Sequence, residues 1–348
     1  MSKFNKNHIV SAFSDLGLQL LQPTVQLLSL IESEHLYNPW FTPPNVEEAT
    51  QAIGAMLNEE SLTAWLNKYP QLPVQNKKKI GLILAGNIPL VGFHDILCVL
   101  AAGHHALIKT SGGDARLIRH VLQMLTDIAP GFAGQFTFVE RLADFDAVIA
   151  TGSNNSSRYF EYYFGKVPHI IRKNRNSVSL LTGDEDSDTL YKLGHDIFDY
   201  FGLGCRNVAK LMVPENYHFP SFFEAIESYQ PIINHHKYHN NYDYNKSILL
   251  VNKNKHLDNG FLLLKEDTAL SSPLAVLHYE VYTDIQSAQD KLRAGAEGIQ
   301  CVVSHAGLQV GSQVVDFGQS QCPALWDYAD GVDTMEFLSN LYTFEAKG

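Results

Sequence analysis

Ile80-Gly81-Leu82-Ile83-Leu84-Ala85-Gly86-Asn87-Ile88-Pro89 decides how the rest of the chain reads. A short apolar run that stops at Gly-Asn and a proline reads as a buried strand followed by a turn. Helical periodicity follows over Val91 to Ala102, and then a second apolar run, His105-Ala-Leu-Ile-Lys109. Ala115 to Ile128 repeats the helix, Gln135-Phe-Thr-Phe-Val139 and Ala147-Val-Ile-Ala150 the strand, and Ser156 to Phe164 the helix again. Strands alternating with helices at this spacing predict an α/β fold with a parallel sheet wound on both faces. Ligands of such sheets bind beyond the carboxyl ends of the strands.

Three of those strand ends carry polar chemistry: Gly86-Asn87-Ile88-Pro89, Lys109-Thr110-Ser111-Gly112-Gly113 and Thr151-Gly152-Ser153-Asn154. Each alone reads as an ordinary turn with a helix cap. Three in one sheet, one with a lysine and one with Thr-Gly-Ser before a helix, favour nucleotide phosphate and ribose binding. No GxGxxG follows a strand. Gly202-Leu203-Gly204 follows a helix and is not a dinucleotide fingerprint.

Further along, Tyr200-Phe201-Gly202-Leu203-Gly204-Cys205-Arg206-Asn207 places a cysteine in a glycine-lined bend. Upstream, Ser187 or Asp188 caps a helix whose apolar positions Leu190, Leu193, Ile197, Phe198 and Phe201 share one face. Downstream, Val208 to Val213 reads as a buried strand stopped by Pro214. Adjacent Arg206 and free backbone N–H groups would favour thiolate at Cys205, which reads as a covalent nucleophile. The ordinary alternative is a small buried apolar side chain. Cys98, Cys205, Cys301 and Cys322 show no CxxC spacing, which argues against zinc and against a disulfide framework.

A second alternating region follows, with strands expected at Ser247 to Val251, Phe261 to Leu264, Leu274 to Tyr279 and Gln300 to Ser304, and a helix at Ile285 to Leu292. The histidine-rich Asn234 to Tyr244 has spacing that would suit zinc on a helix. Its Asn, Tyr and Asp content reads instead as a polar, substrate-facing loop, and no metal is expected. His94, His104 and His105 read as structural.

Residues 1–79 read as amphipathic helices packed on a sheet domain spanning 80–186. A second α/β domain carrying Cys205 is expected over 187–320, and a C-terminal segment, 321–348, is expected to return to the first domain. The chain has 348 residues, 45% of them hydrophobic, which suffices for two cores. A net charge of −11 argues against nucleic acid and anionic membranes as partners. The N-terminus lacks the apolar core of a signal peptide, and the most apolar stretch, Pro89 to Ile108, is interrupted by His94, Asp95, His104 and His105. A cytoplasmic protein without a membrane span is expected.

Taken together, Asn87-Ile88-Pro89 after one strand, Lys109 after the next, Thr151-Gly152-Ser153 before a helix and Gly204-Cys205 after a helix resemble the aldehyde dehydrogenase superfamily. Within it the chain most resembles the bacterial acyl-CoA reductases of LuxC type. Gly204-Cys205-Arg206-Asn207 and Phe317-Gly318-Gln319 leading into Trp326-Asp327-Tyr328 carry the narrower likeness. The resemblance covers about Ile80 to Phe337. It implies a Rossmann-type cofactor domain and a catalytic domain, with Cys205 as nucleophile and Asn87 as side-chain donor of the oxyanion hole. It implies cofactor contacts at Lys109, Ser111, Thr151, Gly152 and Ser153.

Two departures have physical consequences. The family's Glu-Leu-Gly-Gly, whose glutamate activates water, falls on Arg172-Lys173-Asn174-Arg175. An acyl-enzyme would then survive to receive hydride. The glutamate three positions after the cofactor lysine is Gly112, which removes a charge that would repel a 2′-phosphate and favours NADPH over NADH. A third departure puts Ala269 near the position of the glutamate before Phe-Gly-Pro, which bears on the nicotinamide ribose. The implied function is reduction of acyl-CoA to aldehyde. The alternatives are reduction of an acyl phosphate or acyl carrier protein thioester, and a nucleotide-binding regulatory protein with an inert cysteine. The basic run Lys166, Arg172, Lys173 and Arg175 reads as an attractor for anionic ligands or as a solvated loop. Quaternary structure stays open, a homo-oligomer included.

Overall fold

The computed structural model describes residues 5–341, so 1–4 and 342–348, parts of the expected terminal segments, lie outside the described residues. The chain forms two compact units, 1–174 with 323–348, and 175–322.

The first unit begins with four helices: α1 (Lys6–Leu21), α2 (Val25–Ser33), α3 (Pro43–Met56) and α4 (Glu59–Asn67). Their starts are legible in the sequence. Asn5, Thr24 and Asn58 each accept an N–H of the helix they cap, and Pro43 opens α3, where its missing N–H costs nothing. Next come β1 (Lys79–Ile83), α5 (Phe93–Ala102), β2 (His105–Lys109), α6 (Ala115–Ile128), β3 (Phe136–Phe138), β4 (Ala147–Thr151), α7 (Asn154–Phe164) and β5 (His169–Arg172). The sheet order is β3-β2-β1-β4-β5, all parallel. Strand order therefore reverses between β1 and β4, the crevice where ligands of such sheets bind. Phe13, Leu16, Trp65, Ile80, Leu82, Phe93 and Val121 belong to one core that joins the helices to the sheet.

Strand β5 has only Ile170-Ile171 as an apolar signal, too short for any period. It ends at Arg172, which is 4% exposed, paired with Asp95 and donating to Thr334 Oγ1 at 3.0 Å. This corrects the reading of the basic run. Arg172 is a core residue, because a buried guanidinium needs a carboxylate partner.

The second unit holds β6 (Asn176–Leu180), α8 (Ser187–Phe198), β7 (Val208–Pro214), α9 (Phe219–Ala225), α10 (His236–Val251), β8 (Leu257–Asp258), β9 (Leu263–Glu266), β10 (Val276–Tyr282), α11 (Ile285–Ala294), β11 (Ile299–Val303) and β12 (Gln313–Val315). Their sheet runs β12-β11-β6-β7-β10-β9-β8, with only the β8–β9 pair antiparallel. Since β6 pairs with β7 and β11, the boundary expected near Asp186 moves back to residue 174. The cap of α8 is Asp186, whose side chain accepts the Thr189 N–H at 2.8 Å, rather than Ser187 or Asp188.

Two further expectations are overturned by α10. The polar loop at Asn234 to Tyr244 and the strand at Ser247 to Val251 are mostly one helix, started by His235 as cap. Tyr238, Tyr242, Asn245 and Leu249 are its buried face, spaced by four, three and four residues. Ile248-Leu249-Leu250-Val251 is a short apolar run, which fits strand or helix equally until neighbours decide.

Residues 323–341, with α12 (Thr334–Ser339), cluster with the first unit. Tyr328 receives the Trp65 indole N–H at 2.7 Å and sits 2.7 Å from the Tyr69 hydroxyl, which donates to Asp333. His94 and His104 contact the carbonyls of Leu325 and Leu338, at 2.9 and 3.0 Å. No helix among the described residues is long and apolar enough to cross a membrane.

Candidate functional site

In the first unit the register sets the geometry. Ile83 at the end of β1 lies opposite Lys109 on β2 and Ala150 on β4, so three loops leave the carboxyl edge at one level. Asn87, Lys109 and Ser153 are all exposed there. Ser153 caps α7 by accepting the Ser156 N–H at 3.2 Å, which puts the positive end of the helix dipole beside Thr151-Gly152. The Ser111 hydroxyl accepts the Gly113 N–H at 3.3 Å and shapes the loop after Lys109.

These loops press together. A Cβ on Gly86 would lie 2.5 Å from Ser111 Cβ and Oγ, and one on Gly152 would lie 2.8 Å from the Phe160 ring. A Cβ at Gly112 would meet nothing within 4 Å, so the space at that position is open. A cation, a capped helix start and two glycines that keep backbone close suit a dinucleotide's phosphates and ribose.

In the second unit Cys205 and Cys322 are exposed and Cys301 is buried, as is Cys98 in the first unit. Cys205 stands three residues before β7. The candidate nucleophile is therefore at the amino edge of its sheet, opposite to the usual place in parallel sheets. Its turn is built from unusual backbone. Tyr200, Phe201 and Gly202 have φ of 53°, 59° and 74°, and only the third is a glycine. Non-glycine residues in that region cost about 1–2 kcal/mol each, so surrounding bonds must hold them.

Those bonds come from three side chains. Asn207, buried, accepts the Gly204 N–H at 2.8 Å and donates to the carbonyls of Asp196 and Asp199 at 3.2 and 2.9 Å. Ser177 donates to the Cys205 carbonyl at 3.1 Å and lies 3.1 Å from Cys301 Sγ. Asp196 accepts the Gly318 and Ser320 N–H groups at 2.7 and 2.9 Å. Burial pushes the Asp196 carboxyl up, while those two amides pull it back down. The phrase Phe317-Gly318-Gln319 is thus tied to the last turns of α8. Sequence reasoning assigned no role to Ser177 or Asp196. Both stand among other polar residues, Asn176 and Ser179 for Ser177, His195 and Asp199 for Asp196, so nothing in the sequence singles them out.

Arg206, expected to act on Cys205, has two bonds that hold its guanidinium in the second unit. It donates to the Ser320 carbonyl at 3.4 Å and to Gln313 Oε1 at 3.2 Å. Burial raises the Cys301 thiol, and Arg206 works against that rise. A cavity of about 220 Å³ opens beside the turn, with Phe198, Phe201, Gly204, Tyr238, Leu262 and Leu274 among its walls. Beside it, Phe201 packs on the His235 ring at 4.3 Å. Among the described residues no group of three or more His, Cys, Asp or Glu side chains is arranged to hold a metal.

No protein-family model and no curated protein sequence matches the chain. Solved structures do. The structure of aldehyde dehydrogenase 21 from Physcomitrella patens, in complex with the reaction product succinate, matches with a TM-score of 0.69 at 11% identity. The match covers 98% of this chain and 85% of that one. An aldehyde dehydrogenase of Mycobacterium tuberculosis complexed with NAD+ gives 0.66 at 12% identity, over 97% and 84% of the two chains. The NAD+ complex of an aldehyde dehydrogenase from Bacillus cereus gives 0.63 at 12%, over 91% and 77%. With its parallel five-stranded sheet and its second, mixed sheet, each flanked by helices, the chain has an aldehyde dehydrogenase-like fold.

Proposed function

We propose that the protein is an NAD(P)H-dependent reductase that converts an acyl thioester, acyl-CoA, to an aldehyde, with Cys205 as nucleophile. The observation that carries this reading is an exposed thiol in a turn held by Asn207, Ser177 and two left-handed non-glycine residues. Strained backbone over-determined by side-chain bonds is characteristic of functional turns. An inert cysteine needs none of that.

The Cys205 thiolate attacks the thioester carbonyl carbon, the bond from that carbon to the coenzyme A sulfur breaks, and the thiolate of coenzyme A leaves. The Cys205 N–H would donate to the developing oxyanion, and the aldehyde dehydrogenase-like pattern assigns the same task to the Asn87 amide, one such donor being worth about 3 kcal/mol. A bound nicotinamide cofactor would supply the hydride that reduces the acyl group on sulfur. Cys205 then departs as the leaving group while the aldehyde carbonyl re-forms. Lys109, Ser111, Thr151, Gly152 and Ser153 would hold the cofactor, and the open space at Gly112 supports NADPH.

Reduction rather than hydrolysis is supported by what the nearby carboxylates do. Asp196 is bound by two amides and Asp199 faces His195 at 3.2 Å. The segment that carries the family's water-activating glutamate has a buried arginine instead. The cavity beside Gly204 has Phe198, Phe201, Leu262 and Leu274 among its walls, which gives the first carbons of an acyl chain apolar surface to lie against.

The test is NADPH oxidation with acyl-CoAs of graded length, in the native protein and in Cys205→Ala. Activity with acyl-CoA that vanishes in the variant, with NADPH binding kept, supports the proposal. Turnover of acyl phosphates or carrier-protein thioesters alone would reassign the donor. Acyl transfer to protein that persists in the variant would end the mechanism.

A further inference from the structure

Asp114 begins α6, where an aspartate ordinarily accepts an N–H of its own helix. It makes no such cap bond. Its side chain reaches across to the neighbouring loop and accepts the Leu90 N–H at 2.8 Å, with Asp114 and Leu90 each 2% exposed. Leu90 has a φ of 57°, a left-handed conformation that leucine rarely takes. It stands three residues after Asn87 and starts the turn into α5, where its carbonyl accepts the Phe93 N–H at 2.9 Å. A local cap has been given up for a bond 24 residues away in sequence.

The same two loops meet elsewhere. A Cβ on Gly113 would lie 2.9 Å from the Gly86 carbonyl, a second close approach beside that of Gly86 to Ser111. Asn38 Nδ2 donates to the Gly113 carbonyl at 3.4 Å. The second carboxyl oxygen of Asp114, Oδ1, is buried and has no hydrogen-bond partner among the described residues. An acidic group kept in that position is there for the oxygen that is used.

We propose that Asp114 is a positioning residue that locks the Asn87 loop to the Lys109–Ser111 loop, so that cofactor bound at the second loop steadies the oxyanion donor on the first. The inference rests on the roles of Asn87 and Lys109 given above. Burial pushes the Asp114 carboxyl well above the usual range, the Leu90 N–H opposes this, and Glu34 adds to it. A neutral carboxyl still accepts through its carbonyl oxygen. Asparagine is therefore the conservative replacement and alanine the disruptive one.

Amide hydrogen exchange of the peptides spanning residues 86–93 and 109–114 tests the lock without any need for turnover. In the native protein NADPH should protect both peptides. In Asp114→Ala the first should exchange at least ~10-fold faster and lose its response to NADPH, and Asp114→Asn should stay within ~3-fold of native. With turnover, Asp114→Ala should lower kcat at least ~10-fold with the KM for acyl-CoA changed less than ~3-fold, and Asp114→Asn should restore it.

NADPH protection confined to 109–114 in the native protein would overturn the lock, as would native exchange in Asp114→Ala. Native kcat in Asp114→Ala would overturn the positioning role. If the alanine variant does not fold, the native response and the asparagine variant still decide. A native protein without reductase activity that shows the coupled protection would refute the reductase reading and keep the lock.

Discussion

Asn207 and Gly204 exchange two hydrogen bonds, Gly204 N–H to Asn207 Oδ1 at 2.8 Å and Asn207 N–H to the Gly204 carbonyl at 3.1 Å. They close a ring of four residues that contains Cys205. Because Asn207 Nδ2 also reaches the carbonyls of Asp196 and Asp199, the ring is fastened to the end of α8. The thiol is thus presented by a turn with little freedom, although it lies on the surface.

Replacing Asn207 by alanine removes three bonds from a residue that is 3% exposed. The expected loss is about 2–4 kcal/mol, read as a lower denaturant midpoint at unchanged slope. Asn207→Asp should be no better, since a carboxylate oxygen would face two carbonyl oxygens. Midpoints within about 0.5 kcal/mol of native would show that the ring does not hold the turn.

Arg172 and Lys173 are neighbours with opposite expectations. Arg172→Glu sets two carboxyls against each other inside the first unit and should cost at least about 3–5 kcal/mol. Lys173 is 56% exposed on its side chain and pairs with Glu161 at 2.9 Å. Lys173→Glu should stay within about 1 kcal/mol and instead raise the KM for an anionic substrate at low salt. Equal stability losses in the two variants would contradict the burial of Arg172.

How far the sequence discloses all this depends on chain separation. The strands β1, β2 and β4 are legible because each is a short apolar run with a turn residue at its end, and the loops that follow them carry their own chemistry. The exposed thiol at Cys205 is legible for the same reason. β5 and β6 are not, since Ile170-Ile171 and Val178 become strand only by pairing with residues far along the chain. α10 misleads, because its buried face of Tyr238, Tyr242, Asn245 and Leu249 is polar by composition and apolar by contact. Asp114 looks like a helix cap until its partner, Leu90, is seen. Local signals name the pieces that act locally, and side chains that work across loops wait for the coordinates.

The segment before Ser271-Ser272-Pro273 carries a pH signature. Asp267 is held down to about 2 by the Lys265 ammonium, 2.6 Å away, and by the Ala269 N–H. Its unfolded value is 3.8, so the folded state binds this proton more weakly than the unfolded chain. The resulting stability is fully present above pH 3.8 and is lost as pH falls through about 2. Asp267→Asn keeps an acceptor for Ala269 and loses the charge facing Lys265. The gap in urea midpoint between native and variant should be constant from pH 7 to about 5 and shrink steadily below pH 4. A gap that grows on acidification would mean that the pair does not stabilise the fold.

The four cysteines offer a comparison free of any assumption about substrate. Cys98 and Cys301 are buried, and burial raises both thiols, so neither should react with iodoacetamide before unfolding. Cys205 and Cys322 are both exposed, so access alone predicts similar rates for them. A nucleophile activated by its turn predicts that Cys205 reacts at least ~10-fold faster at pH 7, with the excess shrinking towards pH 9, where ordinary thiols become thiolates. Peptide mapping of labelled protein after a short pulse measures both rates in one sample. Asn207→Ala should slow Cys205 and leave Cys322 alone, which separates a rate set by the ring from one set by exposure. Equal rates for the two thiols across that pH range would leave the bond pattern around Cys205 as a fold requirement and remove its claim to chemistry.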